Sequence, residues 1–568
     1  MAVRPRTRLA AVLSVCAVAA AVLGIAGSSG VAAGADAPTQ PTRVLIVLFD
    51  QMRPEYADRF DMQNFKQLQA GGTSFRNAYL GYMASETVIS HNVIVSGQRP
   101  NHMGWVDEAY RDSGNLLAGG ANNMWITGDL TLGQFDTLVN NQGYKKLSDY
   151  LQPSLGGKFI TVGEKSYAVE SAAAGADNPA DIAVRLSSRT GTKAADLTKP
   201  PPFVPDACSV TLGGQYRFPS GRNVPAYLSD PCGRYFINSD KSNDYGTLGQ
   251  FPSRIYPEDG NRFFPGTDPN HLGGDVWVAD AAMAMMENET DWSGMFVTMG
   301  GIDKAGHMWG ADQDVQPALD DIGYQTHVEA AAKIADAQLG RMIDKLRELG
   351  QLDDTLIVLT ADHGGTHGGT NGAQFYGQDF ASAGDTNWYY GNSINDGLFN
   401  NPSPALKPLI DTGNVQFSYQ STAIETWLIN NGQTQKLQAA AAMKTLPGVM
   451  ATYYRNGTGF TLASTGTMSS SERSWWKDHA QSIVNGLAAS NGPDVVGLLR
   501  DDVSYGAFGD HGGASEEVQR VPVVFYAPGF VQVNNSGKPF TTPDILPTIL
   551  KALGIKAGPM DGKGVGLN

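Results

Sequence analysis

Short apolar runs that stop abruptly at an aspartate or a histidine constrain this chain more than any other feature. Val44 to Phe49 is followed by Asp50, Leu356 to Thr360 by Ala361 and then Asp362-His363, and Met295 to Met299 by a short turn and Asp303. Phe159 to Val162, Val495 to Leu499 and Val523 to Tyr526 are further runs of the same kind. Uninterrupted, β-branched runs suit strands buried on both faces, as parallel sheets require. Between the Met295 and Leu356 runs, Val328, Ala331, Ala335, Leu339, Met342, Leu346 and Leu349 form one helical stripe, with Gly350 just past its end. Strand, helix, strand is the parallel βαβ unit. Near the C-terminus, Thr542-Pro543 opens another helix that runs towards Gly554. The expected fold is therefore an α/β/α sandwich around a mostly parallel central sheet. Two stretches, about residues 166–272 and 366–480, break the rhythm and are rich in Gly, Pro, Asn, Ser and aromatic residues. They read as insertions that shape access to the sheet.

The first 33 residues pass from Arg4, Arg6 and Arg8 through an apolar stretch, Leu9 to Ile25, to small residues at Gly30-Val31-Ala32-Ala33. That is the order of a secretory signal peptide. The stretch is shorter than the about 20 apolar residues a bilayer span needs, and no later run is long enough. The catalytic domain is accordingly expected over residues 40–568 of an exported protein. Without the leader, 38 basic residues face 56 acidic ones, a net charge of −18. A surface of that sign repels duplex nucleic acid. Only Cys208 and Cys232 remain after the leader, and in an exported chain a lone pair is expected to form a disulfide. Closing that loop of about 25 residues would contribute on the order of 3 kcal/mol.

The strand-end ligands set the chemistry. Asp303 and His307 are four residues apart, so one helical turn brings both to a single point. His511 lies in Asp510-His511-Gly512-Gly513, which repeats Asp362-His363-Gly364-Gly365. Any one of these positions is weak evidence, since turns use Asp-Gly and His-Gly freely. Jointly, three Asp and three His at strand ends suit two zinc ions. His91, His102, His271, His327, His367 and His479 lack that context and read as structural, with His367 the first candidate for an exception. A helix starting within Ser85-Glu86-Thr87 would put Thr87 at its positive end, where phosphate is favoured. The plainer reading makes Ser85 an N-cap and Thr87 an inert first-turn residue.

Taken in order, these motifs resemble the alkaline phosphatase superfamily, closest to its nucleotide pyrophosphatase/phosphodiesterase and single-threonine phosphatase branches. The likeness rests on Val47-Leu48-Phe49-Asp50, on Thr87 four residues before His91 with Val95-Ser96-Gly97 following, on Asp303-Lys304-Ala305-Gly306-His307, on Ala361-Asp362-His363-Gly364, and on His511-Gly512 ahead of Val521-Pro522. It covers the core and not the insertions. The resemblance implies one zinc held by Asp303, His307 and His511, and another by Asp50, Thr87, Asp362 and His363. It also implies a phosphothreonine at Thr87 and a small phosphate ester or nucleotide as substrate. Two departures stand out. Glu108 replaces a phosphate-binding asparagine, and Tyr167 stands where an arginine would partner Lys165, which is either the phosphate-binding lysine of the resemblance or a plain solvated lysine. The resemblance therefore leaves monoester against diester open, and the oligomeric state with it. A sulfatase would need a C/S-x-P-x-R segment around its nucleophile, and neither later cysteine has one. No phosphate-binding G-x-x-x-x-G-K-[ST] loop or G-x-S-x-G elbow is present. From another class, a phosphate- or metal-binding protein whose catalysis has lapsed would account for Glu108.

Overall fold

The structure is a computed structural model that describes residues 40–127, 130–186, 219–228, 269–310, 325–367, 374–375, 404–506 and 509–568. The leader, Cys208 and Cys232 lie outside the described residues, so the signal peptide and the disulfide are not addressed by it.

Nine strands make the main sheet, in the order Asn534–Thr541, Thr73–Tyr79, Val523–Tyr526, Thr355–Thr360, Arg43–Phe49, Trp292–Met299, Lys158–Gly163, Ile182–Leu186 and Pro219–Arg222. The five from Thr355–Thr360 to Ile182–Leu186 are mutually parallel. Their middle is the apolar run Val44 to Phe49, in register with Gly294 to Met299 on one side and Leu356 to Thr360 on the other. Both flanking strands are fully buried, which is why their sequences carry no polar alternation. This α/β arrangement is the expected fold class.

The helix His327–Glu348 connects two of these strands as the βαβ rule requires. The hydroxyl of Thr326 accepts from the Glu329 N–H at its start, and Gly350 adopts φ +68° beyond its end. At the C-terminus, a short 3₁₀ turn at Thr542–Asp544 leads into the helix Ile545–Ala552.

One apolar run sits elsewhere. Val495–Leu499 belongs not to the main sheet but to a second, five-stranded antiparallel sheet, ordered Val415–Gln420, Ala423–Leu428, Val495–Leu499, Val449–Asn456 and Gly459–Thr465. A central antiparallel strand covered on both faces has the same apolar signature as a parallel one, so periodicity does not separate them. Val523–Tyr526 also departs from the parallel pattern, running antiparallel to both of its neighbours. Its amino end, not its carboxyl end, therefore lies at the edge where the parallel strands finish, and the chain entering it carries His511.

Lys146 is fully buried, its ammonium directed at the carbonyl of Ser171. Burial pulls its pKa down to about 7 from the ordinary 10.5, against the pull of Asp149 and Asp136. Between those two values the unfolded chain binds more protons than the folded one, so folding gains stability as the pH rises through this window. Lys146→Met removes that dependence. Its stability relative to the wild type is expected to fall as the pH is raised from 7 to 10, by denaturant titration at each pH, and a pH-independent difference would contradict this reading.

Candidate active site

The carboxyl edge of the parallel sheet gathers every ligand that the strand ends announce. Asp50 follows Phe49 directly, and its N–H donates to the Met299 carbonyl at 2.9 Å, which ties two strand ends together. Asp303 and His307 stand in the first and last turns of the helix Gly301–Trp309. Asp362 and His363 leave the end of Thr355–Thr360, and His511 comes in ahead of the antiparallel strand.

These side chains form two adjoining groups. In the first, His307 Nε2 is 2.9 Å from Asp303 Oδ1, His511 Nε2 is 3.4 Å from the same oxygen, and the two imidazole nitrogens are 3.2 Å apart. In the second, His363 Nε2 lies 3.5 Å from both Asp50 Oδ1 and Asp362 Oδ2. The rings of His363 and His511 stack at 3.5 Å between centroids, which makes the groups neighbours. Burial holds His363 below the ordinary histidine range and His511 well below it, so both present neutral imidazole, the form that binds metals. His363 Nδ1 lies 3.0 Å from the Gly364 carbonyl, so a donated N–H there leaves Nε2 with its lone pair towards the carboxylates.

The donor set fits cations. Among the described residues, Asp50 Oδ1, Asp362 Oδ2 and His363 Nε2 are buried without any hydrogen-bond partner. Acceptor atoms facing one another out of water are costly unless a positive charge lies between them. Mixed imidazole and carboxylate ligands are those of zinc-type ions.

Thr87 opens the helix Thr87–Ser96, as the sequence suggests, but the capping differs from expectation. Glu86, not Ser85, is the N-cap, it makes no side-chain cap bond, and the Ser85 hydroxyl has no hydrogen-bond partner. The first turn is secured instead by His91 of the same helix and by Glu108. His91 Nδ1 lies 2.6 Å from the Thr87 carbonyl and Nε2 lies 2.9 Å from the Thr298 hydroxyl, so a histidine read as structural fixes the backbone of Thr87. Burial takes its pKa down to about 3, which keeps it neutral. Glu108 Oε1 accepts from the N–H of Val88 at 3.2 Å, and Oε2 accepts from the Tyr419 hydroxyl at 3.3 Å. Burial lifts the Glu108 carboxyl to about 7.

Lys165 is not a solvated lysine. Its ammonium donates to Asp50 Oδ2 at 2.6 Å and Asp303 Oδ2 at 2.5 Å, with the Thr87 hydroxyl at 3.5 Å. Burial opposes its charge, and Asp303 and Asp50 more than reverse this, leaving it well above the lysine range. Lys165 thus touches both ligand groups and the threonine. Tyr167 lies along its stem, with the ammonium 6.0 Å from the ring centre.

A family model described as type I phosphodiesterase / nucleotide pyrophosphatase matches residues 44–129 and 232–446. Among solved structures, wild-type alkaline phosphatase PafA aligns at 15% identity and a TM-score of 0.54, covering 92% of this chain and 97% of that one. Murine ectonucleotide pyrophosphatase/phosphodiesterase 5 aligns at 11% identity and a TM-score of 0.51, with the same coverage of each chain. An inactive threonine-to-alanine variant of the murine protein was solved in complex with AMP. These structural likenesses establish the shared fold. No curated protein sequence matches the chain.

Gln51 and Asp510 escaped the sequence reading. Gln51 adopts φ +63°, a conformation costly for a residue with a side chain, while buried beside Asp50. Its N–H donates to Asp362 Oδ1 at 3.2 Å, and its side-chain amide donates to the Gly509 carbonyl at 3.0 Å, two residues before His511. Asp510 Oδ1 stands 4.0 Å from His307 Nδ1 and completes a further ligand group with His307 and His511. The repeated Asp-His-Gly-Gly quartet was the available signal for Asp510, and none existed for Gln51. Gly306 makes room for Gln51, because a Cβ there would stand 2.0 Å from Gln51 Oε1. Gly306→Ala is therefore expected to destabilise the fold by about 1–3 kcal/mol, despite the better helix propensity of alanine. Equal or greater resistance to denaturant in the variant would show that Gln51 is not held as described.

Proposed function

The chain belongs to the type I phosphodiesterase/nucleotide pyrophosphatase family and is a phosphoric ester hydrolase, and from that premise we propose that Thr87 attacks phosphorus at a two-metal centre. The observation that supports this most is that Lys165 contacts Asp50 and Asp303 of the two buried ligand groups and stands 3.5 Å from the Thr87 hydroxyl at a helix start. Asp303, His307 and His511 would hold one ion, and Asp50, Asp362 and His363 the other, with the Thr87 hydroxyl as a further ligand. Zinc is the ion this set suits. Such ions supply Lewis acidity, which takes the pKa of a bound water from 15.7 to about 7 and would lower that of a threonine hydroxyl in the same sense.

The residues of the chain have distinct parts. Thr87 forms the new P–O bond as the ester P–O bond to the leaving alcohol breaks, and water then cleaves the phosphothreonine to free phosphate or its monoester. His91 holds the Thr87 carbonyl, so the hydroxyl keeps its direction. Lys165 binds the non-bridging phosphate oxygens, and Glu108 borders the same space. With a carboxyl at Glu108 and a phenol, not a second cation, at Tyr167, the site favours the singly charged phosphodiester over the doubly charged monoester. The leader directs export, the stretches at about 166–272 and 366–480 shape substrate entry, and Cys208 and Cys232 pair. No described helix is long and apolar enough to cross a membrane.

Thr87→Ala is expected to lower kcat by several orders of magnitude while metal content falls only modestly, since every other ligand stays in place. Thr87→Ser should keep part of the activity. A chelator should abolish turnover of a nitrophenyl phosphodiester, and zinc should restore it. Elemental analysis of active protein showing no transition metal would remove the two-metal reading, and full metal content with no turnover of either ester would mark a lapsed enzyme.

A further inference from the structure

Behind the nucleophile lies a second polar cluster that the hydrolytic mechanism does not use. It draws Glu86 from the start of the Thr87 helix, Asp107 from the approach to the strand Ala109–Asp112, Glu425 from the strand Ala423–Leu428 and Asp510 from beside His511. All four are buried. Asp510 accepts from the Ser504 hydroxyl, but the other three carry oxygens that are not satisfied. Glu86 Oε2, Asp107 Oδ2 and both carboxylate oxygens of Glu425 have no hydrogen-bond partner, and neither do the buried hydroxyls of Ser85 and Thr422. The leading charges that act on Glu86 are Glu108, Asp107, Glu425 and Asp510, and those on Glu425 are Asp107 and Asp510. These buried acids therefore lie near enough to repel one another in a shared region.

The wall of that space is the Gly512-Gly513 pair. A Cβ on Gly512 would stand 2.6 Å from the Ser421 hydroxyl and 2.8 Å from Glu86 Oε1, and one on Gly513 would stand 2.6 Å from the Thr422 hydroxyl. Both glycines leave room for the oxygens of the cluster. Burying several unpaired carboxylates is costly, and a cation among them removes the cost.

We propose that Glu86, Asp107 and Glu425, with the Ser85 and Thr422 hydroxyls, form a third cation site for a hard divalent ion, separate from the two catalytic ligand groups. The donors are all oxygen, with no imidazole or thiolate, which selects Mg2+ or Ca2+ over zinc. Among the described residues, these carboxylates do not bring three ligand atoms within 4.8 Å of one another, as the mixed imidazole and carboxylate groups of the catalytic site do. An ion that keeps part of its water shell and takes one or two carboxylates directly fits that spacing, which is the habit of Mg2+.

The test uses the full-length, zinc-loaded protein. It is equilibrated with Mg2+ or Ca2+ in parallel, stripped of free ion on a desalting column, and read by elemental analysis and by thermal midpoint. The wild type is expected to retain about one Mg2+ or Ca2+ per chain and to melt at a higher temperature with it. Glu425→Gln and Asp107→Asn should each lose both effects with zinc content unchanged. A wild type that retains neither ion and shows no shift of its midpoint would overturn the proposal, whether or not the variants fold, and would mean that the acids are buried in their protonated form. Because neither readout is catalytic, a negative result here leaves the hydrolase reading intact, and loss of turnover in Thr87→Ala leaves this site untouched.

Discussion

Asp50, Asp303 and Asp362 come together at the finishing edge of a sheet that excludes water, and the ammonium of Lys165 bridges the first two. This crowding of buried like charge is the constraint around which the rest of the molecule is arranged. Burial and the neighbouring Asp303 and Asp362 carboxylates drive Asp50 well above the ordinary carboxylate range, whereas at Asp303 the nearby His307 ring and the Lys165 ammonium outweigh burial and hold it well below. Adjacent carboxylates are pushed apart in acidity only where no solvent averages their fields. A sheet edge built this way is stable when a strong positive charge is shared among the ligands, and the neutral imidazoles of His363 and His511 supply the remaining donors.

That requirement accounts for the architecture around it. Four of the five parallel strands deliver side chains to one edge because all of them finish there, and each side chain needs only a residue or a short turn beyond its strand. The antiparallel strand Val523–Tyr526 presents its entering chain at the same edge, which lets His511 join ligands that come from strand exits. Gln51 closes the ring by spending an unfavourable backbone conformation on two hydrogen bonds, one to Asp362 and one to the Gly509 carbonyl near His511. Thr87 is held chiefly by His91 and Glu108, and His91 also reaches Thr298 on the strand that leads to Asp303. Nucleophile and ligands are thus tied together, through Lys165 and through His91.

Much of this was legible in the sequence because burial and ligation leave local signatures. A β-branched run with no polar break must be buried on both faces, and an Asp at its end is costly unless it ligates. The helix His327–Glu348 was legible from its stripe and the glycine after it. What escaped depends on tertiary placement. Val495–Leu499 carries the signature of a buried strand but enters the second sheet. Lys165 looks like any lysine after a strand until its neighbours fall within 3 Å. Ser85 has the composition of an N-cap, yet Glu86 takes the position and the first turn is anchored by His91 and Glu108. Glu86, Asp107 and Glu425 are hundreds of residues apart at the extremes, so nothing in the chain order announces that they meet.

The account turns on Thr87 becoming covalently attached to phosphorus. Acid quenching of the zinc-loaded enzyme during turnover of a nitrophenyl phosphodiester, followed by peptide mass analysis, tests this directly. The predicted result is a phosphorylated or phosphoester-bearing peptide modified at Thr87, absent in Thr87→Ala. Modification at Ser85, or turnover through an unmodified Thr87 peptide with the quench shown to be faster than breakdown, would contradict it.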